Sequence, residues 1–373
     1  MAPDKLQCMD HEGRLCRLQK ELSPHRLDYL LVTHFPNIRY LCGFTGSAGV
    51  LLVNERGSVF FTDGRYTSQA REEVYGPKVI IARKAPLLAA AQWLNSSRKK
   101  AARGAGVMGF EAEHMTVLTR KQLADLLTPA FRLREAPPLV ERSRMLKDAE
   151  EIDSIRAAVL LGASLFERAL ATIRPGTKET EVAAELEYAA RRAGAQEMSF
   201  PTIIAAGQRS ALPHGRASEK RIPAEGFVVC DFGVILAGYC SDMTRTVYVG
   251  RHTHEARQIY EAVREAQQAA IDQVRPGIAV GEVDRAARKT FKKKGLDRYF
   301  THSTGHGVGL EIHEAPRIAA GQTEVLRSGM IITVEPGVYI PGKWGVRIED
   351  MVAVTDQGCD VLTPTSKEFT AVD

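Results

Sequence analysis

The sequence predicts an α+β protein of two domains, a small mixed α/β domain followed by a larger domain folded from two similar halves. Three observations carry this expectation. The chain has 373 residues, more than one hydrophobic core usually serves. In its first third, short apolar runs alternate with stretches of helical apolar spacing. In the remainder, Arg174-Pro175-Gly176 recurs as Arg275-Pro276-Gly277, an offset of 101 (275 − 174).

Residues 14–22 have the apolar spacing of a helix, and 28–32 read as a buried strand. Residues 37–41 form a short helix or turn leading into Gly43. Strands at 48–53 and 59–62 flank the turn Glu55-Arg56-Gly57-Ser58. A helix at 65–74, a strand at 79–82 and a helix at 86–95 follow. Pro86 sits in the first turn, where a missing N–H costs nothing. A strand at 107–111 and a helix at 119–127 complete this part. Ala136-Pro137-Pro138 breaks the pattern, so the domains are expected to be 1–138 and 139–373, with 141–147 a charged connecting segment. His34, Asn37 and Arg39 are polar loop residues that edge a cleft or are simply solvated. No catalytic cluster is visible in this first domain.

The offset of 101 also matches Glu181-Val182 with Glu282-Val283, Gly194 with Gly295, and Ala169-Leu170 with Ala270-Ile271. Each copy reads as a helix, a Pro-Gly break and a second helix closed by glycine. Val159, Phe166, Leu170 and Ile173 give one first helix its apolar face; Tyr260, Val263, Ile271 and Val274 give the other. Strands follow each pair: 226–233 resembles 329–337, and Ser241-Asp242-Met243 resembles Glu349-Asp350-Met351. Two halves related by a pseudo-twofold axis are therefore expected.

The duplication locates the chemistry. Asp231 ends an apolar strand, and a turn through Gly233 and Gly238 leads back to Asp242. Glu335 ends the matching strand, and the chain returns through Pro341-Gly342 and Gly345 to Glu349. Two hairpins facing each other bring four carboxylates into an apolar interior. Their repulsion and desolvation demand compensating cations. The stretch from His302 to Glu314 adds His302, His306 and His313 among Gly305, Gly307 and Gly309. The alternation of Val308, Leu310 and Ile312 predicts a strand there. Oxygen ligands with one imidazole, His306, suit Mn²⁺, Fe²⁺, Co²⁺ or Zn²⁺ in a catalytic role. Cys230 and Cys240 adjoin the acids, but strand alternation turns them away.

Bulk features narrow the alternatives. A net charge of +5, with basic runs only at Arg98-Lys99-Lys100 and Lys292-Lys293-Lys294 and no interleaved aromatics, argues against nucleic acid. The six cysteines show no zinc-finger spacing, and no apolar run is long enough for a bilayer. Residues 1–10 hold no apolar signal segment, so a cytoplasmic protein with free thiols is expected.

Asp231, Asp242, His306, Glu335 and Glu349 stand in Cys230-Asp231-Phe232-Gly233, Ser241-Asp242-Met243-Thr244-Arg245-Thr246, Thr304-Gly305-His306-Gly307, Val334-Glu335-Pro336-Gly337 and Arg347-Ile348-Glu349-Asp350. In order and context they resemble the ligand set of the pita-bread metallopeptidases. That family includes methionine aminopeptidase, Xaa-Pro aminopeptidase and prolidase, with metal-free creatinase as a relative. Residues 37–47 are similar to the creatinase-type N-terminal domain of the proline-specific members, which methionine aminopeptidases lack.

The resemblance implies a pita-bread catalytic domain holding two divalent metals, with Mn²⁺ the expected ion and Co²⁺, Zn²⁺ or Fe²⁺ as alternatives. It assigns Asp231 to one metal and His306 with Glu335 to the other, with Asp242 and Glu349 bridging. Glu335 becomes the acceptor of the water proton, and His214 and His313 the donors to the carbonyl oxygen. His302 matches a further family histidine, Arg347 orients the carboxylates, and Arg317 meets a substrate carboxylate. Tyr339 and Trp344 either line a proline pocket or pack in the core. The implied activity is Xaa-Pro aminopeptidase on proline-containing peptides, in a homodimer. Prolidase, the strict Xaa-Pro dipeptidase, is the alternative, and a non-catalytic binding module is the alternative from another class.

Overall fold

A computed structural model of the chain describes residues 9–98 and 106–373, so Cys8, Lys99 and Lys100 lie outside the described residues. The chain forms two compact units, Met1–Arg144 and Met145–Asp373. In the first, a six-stranded mixed sheet runs, in spatial order, Lys78–Ala82, Gly57–Asp63, Val50–Asn54, Tyr29–Val32, Gly106–Glu111 and Phe131–Ala136. Leu31, Leu52, Phe61 and Met108 on these strands pack against Ala90 and Leu94 of the helix Pro86–Arg98.

Two elements here differ from the sequence expectation. Phe131–Ala136 is a strand at the sheet edge, where Arg132 is exposed and Arg134 donates to His25 O and Arg26 O. The charged segment expected to connect the domains is largely helix, Leu139–Arg144, with Leu139 and Val140 buried. Arg144 donates to Asn37 Oδ1 at 2.7 Å, and Asn37 Nδ2 donates to Glu111 and Glu141. Asn37 is thus a buried tie rather than a cleft edge, and it holds this helix to the first unit. The units consequently divide at Arg144/Met145, beyond the Pro137-Pro138 break.

The second unit repeats one arrangement twice. Helices α1 (Ala149–Thr172) and α2 (Glu179–Arg192) precede an antiparallel sheet holding β1 (Ile203–Ala206), β2 (Gly226–Phe232) and β3 (Met243–Val249). Helices α3 (His254–Ile271) and α4 (Val280–Lys293) precede a second sheet containing β4 (Gly305–Gly307), β5 (Glu314–Ile318), β6 (Ile331–Val334) and, beyond the hairpin Gly337–Ile340/Trp344–Arg347, β7 (Asp350–Val354). Gly176 and Gly277 sit at matching breaks with φ of 88° and 85°, a left-handed region that favours glycine. The apolar faces of α1 and α2 bury Phe166, Ile173 and Leu186 against β2; those of α3 and α4 bury Tyr260, Val263 and Phe291 against β6 and β7.

The two halves meet strand against strand. Glu349 N donates to Thr244 O at 3.1 Å, Arg347 N to Thr246 Oγ1 at 3.1 Å, and Thr246 Oγ1 to Arg347 O at 2.8 Å. Beneath them Arg245 pairs with Asp350 at 2.7 Å, both side chains almost fully buried. Among the described residues, no helix is long and apolar enough to cross a membrane.

Candidate metal centre

The strand that the alternation of Val308, Leu310 and Ile312 predicts at the end of the glycine-rich stretch does not form. Only β4 is strand; residues 308–313 turn back and β5 runs antiparallel to β4, with a bulge between His306 and Gly307. A Cβ at Gly305 would lie 2.0 Å from Thr333 O, and one at Gly307 would lie 2.2 Å from Ala315 O, so close backbone approach requires glycine at both. Cys240 N donates to Gly309 O and Gly309 N to Glu311 O, which bends the chain. The bend brings the His313 ring to 4.4 Å from that of His306.

Asp231 lies one residue before the end of β2, and Asp242 immediately before β3. Glu335 directly follows β6, and Glu349 directly precedes β7. These four acids, with His306, line one cavity of about 770 Å³. Ligand atoms of Asp242, His306 and Glu349 all lie within 4.8 Å of one another. His306 Nε2 is 3.7 Å from Asp242 Oδ2 and 3.6 Å from Glu335 Oε1. Cys230 instead packs into the core on the other face of β2.

Protonation follows from these contacts. His306 Nδ1 lies 3.0 Å from Gly307 O, an acceptor only, so Nδ1 carries the hydrogen and the Nε2 lone pair faces the carboxylates. Burial holds His306 down to about 4, so this imidazole is neutral. Burial, and then mutual repulsion, holds Asp242 and Glu349 well above the usual carboxylate range. Burial and the Asp231 charge push Glu335 up to about 7.

The donor set fits divalent cations on three counts. Asp231 Oδ1 and Asp242 Oδ1 are buried with no hydrogen-bond partner, which costs free energy unless something coordinates them. A bare imidazole lone pair aimed at carboxylates is repulsive without a cation between. The set is oxygen-rich with one nitrogen, as Mn²⁺, Co²⁺, Fe²⁺ and catalytic Zn²⁺ accept.

Arg347 organises the acids from behind. It is 3% exposed and donates to Asp231 Oδ2, to Thr244 Oγ1 at 3.0 Å, to Pro213 O at 3.0 Å and to Tyr339 Oη at 2.6 Å. Thr244 in turn donates to Glu349 Oε2 at 2.7 Å. Because Tyr339 Oη accepts from Arg347, its own hydrogen goes to His302 Nε2 at 2.9 Å, and His302 Nδ1 donates to Ser303 O at 2.8 Å. Both His302 nitrogens are therefore occupied, and burial pushes its pKa down to about 4. His302 lines the cavity as a held, neutral ring, whereas His214 and His313 are exposed on the cavity wall.

Of the two expectations for Tyr339 and Trp344, core packing is the one observed. Tyr339 is buried in the Arg347 network, and Trp344 packs its ring 5.5 Å from Phe227 in the core. The cavity's apolar wall comes from Phe200, Pro201, Ile203 and Ile312, which carry no sequence signal beyond their hydrophobicity. Arg317, opposite His306 in the β4/β5 register, lines the cavity together with Arg216, which the sequence reading missed.

Known proteins resemble this chain over most of its length. Residues 153–356 match the model of metallopeptidase family M24, and residues 14–146 match the creatinase/prolidase N-terminal domain. The chain is 36% identical to an Xaa-Pro dipeptidase of Pyrococcus horikoshii over 93% of this chain and 96% of that one. Among solved structures, an Xaa-Pro dipeptidase from Bacillus anthracis superposes with a TM-score of 0.91 at 38% identity, covering 97% of this chain and all of the other. An X-Pro aminopeptidase from Thermotoga maritima superposes with a TM-score of 0.85 at 33% identity, covering 95% of this chain and all of the other.

Proposed function

Because this chain belongs to metallopeptidase family M24 and carries a creatinase/prolidase N-terminal domain, we propose that it hydrolyses the peptide bond preceding proline, with Xaa-Pro dipeptides as its preferred substrates. One observation carries the reading: four carboxylates and the His306 lone pair converge in a cavity whose wall also presents Arg216 and Arg317. The acids and His306 suit a pair of divalent metals; the arginines suit the C-terminal carboxylate of a substrate two residues long.

Asp231, Asp242, His306, Glu335 and Glu349 are the proposed ligands, with Mn²⁺ the expected ion. Bound there, divalent ions supply Lewis-acid polarisation of the carbonyl and a lowered water pKa. Glu335 accepts the proton of the attacking water and passes it toward the leaving proline nitrogen. His214 and His313 donate to the carbonyl oxygen as it gains charge. Arg347 keeps Asp231 oriented and, through Thr244, Glu349 also. His302 positions rather than reacts, since neither of its nitrogens is available. The Phe200, Pro201, Ile203 and Ile312 wall receives the pyrrolidine ring. Proline needs such a site because its amide has no N–H for a general peptidase to bind.

The aminopeptidase reading has two observations in its favour, the likeness to an X-Pro aminopeptidase and a cavity of about 770 Å³ that has room for residues beyond the proline. A metal-titrated assay on Xaa-Pro dipeptides, Xaa-Pro-Xaa tripeptides and longer peptides separates the two. Efficient turnover of dipeptides alone supports the proposal; equal kcat/KM on tripeptides would move the protein to the aminopeptidase class. No turnover of any member with Mn²⁺, Co²⁺ or Zn²⁺ would defeat both.

A further inference from the structure

Each of the three cavity histidines outside the ligand set sits on a segment tied down by a buried acid paired with a base. For His302 the pair is Asp284 and Arg288 on α4. Asp284 accepts from Thr304 Oγ1 at 2.8 Å, and Arg288 donates to Asp284 at 2.7 Å and to His302 O at 2.7 Å. For His313 the pair is Glu314 and Lys147, 3.1 Å apart with both side chains nearly inaccessible. For His214 the pair is Glu179 and Arg209, and there the geometry is most telling.

Glu179 opens α2 with its side chain fully buried. Its Oε1 accepts from Ala206 N at 2.8 Å and Arg209 Nε at 3.1 Å; its Oε2 accepts from Arg209 Nε at 3.0 Å, Ser218 N at 3.1 Å and Ser218 Oγ at 2.6 Å. One carboxylate therefore grips both ends of the segment 206–218, which carries His214. Arg209, fixed by that carboxylate, reaches across the segment and donates through Nη2 to Arg216 O at 2.7 Å, two residues past His214. Just before it, Pro213 O accepts from Arg347. The backbone on either side of His214 is thus held by two guanidiniums, while the imidazole itself stands exposed on the cavity wall. A buried ion pair adds little net stability over an apolar packing of the same volume. What it supplies is a fixed loop, and displacement of a donor by about 1 Å is worth up to about 100-fold in rate.

We propose that Glu179 and Arg209 are positioning residues for the reaction, acting through His214 by fixing the segment that bears it. This rests on the reading that His214 donates to the developing oxyanion.

The test compares Arg209→Met, His214→Ala and the double variant with the parent as Mn²⁺-loaded enzymes, reading kcat, KM, bound metal and thermal midpoint on an Xaa-Pro dipeptide. Arg209→Met is expected to lower kcat on the order of ten-fold with metal content unchanged, since the lost interaction belongs to the transition state, while a rise in KM reports Arg216, which the same segment carries. In the His214→Ala background the same substitution should lower kcat no further. Parental kcat in Arg209→Met overturns the inference, as does a full additional loss in the double variant. Full turnover by His214→Ala also ends it, by removing the role on which it rests, and is told apart because that single variant alone reports it. Should Arg209→Met fail to fold, Arg209→Lys takes its place. Its ammonium can pair with Glu179 but cannot at once reach Arg216 O, so the same fall in kcat at a parental thermal midpoint is expected, and parental kcat in the folded variant refutes the proposal.

Discussion

Replacing Arg347 with methionine would leave the Asp231 carboxylate buried beside Tyr339 and Thr244 with no guanidinium to hold it. Outer partners of metal ligands typically matter about 10- to 100-fold in metal affinity or activity. Arg347→Met is therefore expected to lower kcat/KM by about that factor in a Mn²⁺-saturated assay; unchanged kcat/KM would mean that Asp231 is held by something else. Asp242 invites the opposite kind of substitution. Its pKa is raised first by burial and then by Glu349, Asp231 and Glu335, so without metal it is a charge that the fold resists. Asp242→Asn removes that charge at nearly constant volume. The metal-free variant should be more stable than the metal-free parent at about pH 8, where the unfolded parent's carboxyl is charged, and should bind Mn²⁺ far more weakly. Calorimetric titration with denaturation curves in chelator checks both; a variant that binds metal like the parent would remove Asp242 from the ligand set.

At the scale of elements, the histidine strand depends on glycines more than on its apolar residues. Gly307→Ala would press a Cβ to 2.2 Å from Ala315 O, a contact that only backbone movement relieves. A cost of about 1–3 kcal/mol or more follows from such overpacking, with weaker metal binding because His306 moves with the strand. Gly358, whose added Cβ meets nothing within 4 Å, is the control, and Gly358→Ala should leave thermal midpoint and metal content alone. Equal behaviour of the two variants would contradict the close-approach argument. Much of this architecture was legible beforehand. The repeated Arg-Pro-Gly breaks and the spacing of Val159, Phe166 and Ile173 fixed the helix pairs, because a helix face must bury what it presents. The acids were legible because a carboxylate ending an apolar strand has few innocent explanations. Residues 308–313 misled because alternation alone does not distinguish a strand from a loop bent by local bonds such as Gly309 N to Glu311 O. Lys147 and Glu179 stayed hidden because their partners lie far along the chain, and Arg216 and the Phe200–Ile203 wall because no local pattern announces them.

Across the catalytic unit as a whole, the metal centre sets how stability depends on pH, and the sign can be worked out group by group. Asp242, Glu335 and Glu349 have folded pKa values above the ordinary carboxylate range, Glu335 reaching about 7. As pH rises from about 4.5, the unfolded chain releases protons that the folded, metal-free chain retains, so these groups make stability fall with rising pH. His302 and His306 act oppositely. Both are held down to about 4, so below their ordinary value of 6.5 the unfolded chain takes up protons that the folded chain refuses, and stability rises with pH through that window. Between about 4.5 and 6.5 the two sets oppose each other, and above about 6.5 only the carboxylates still act. The chelated protein should therefore lose stability from about pH 6.5 to about pH 8, by up to about 1.4 kcal/mol per pH unit for each carboxylate still titrating. Bound divalent cations favour the charged carboxylates and should flatten that slope while raising the thermal midpoint at every pH in the range. Thermal melts of chelated and Mn²⁺-loaded protein across this range provide the check. Parallel curves for the two forms would show that the acids reach their charged state without help from a cation, and the electrostatic case for the metal centre would fall with that result.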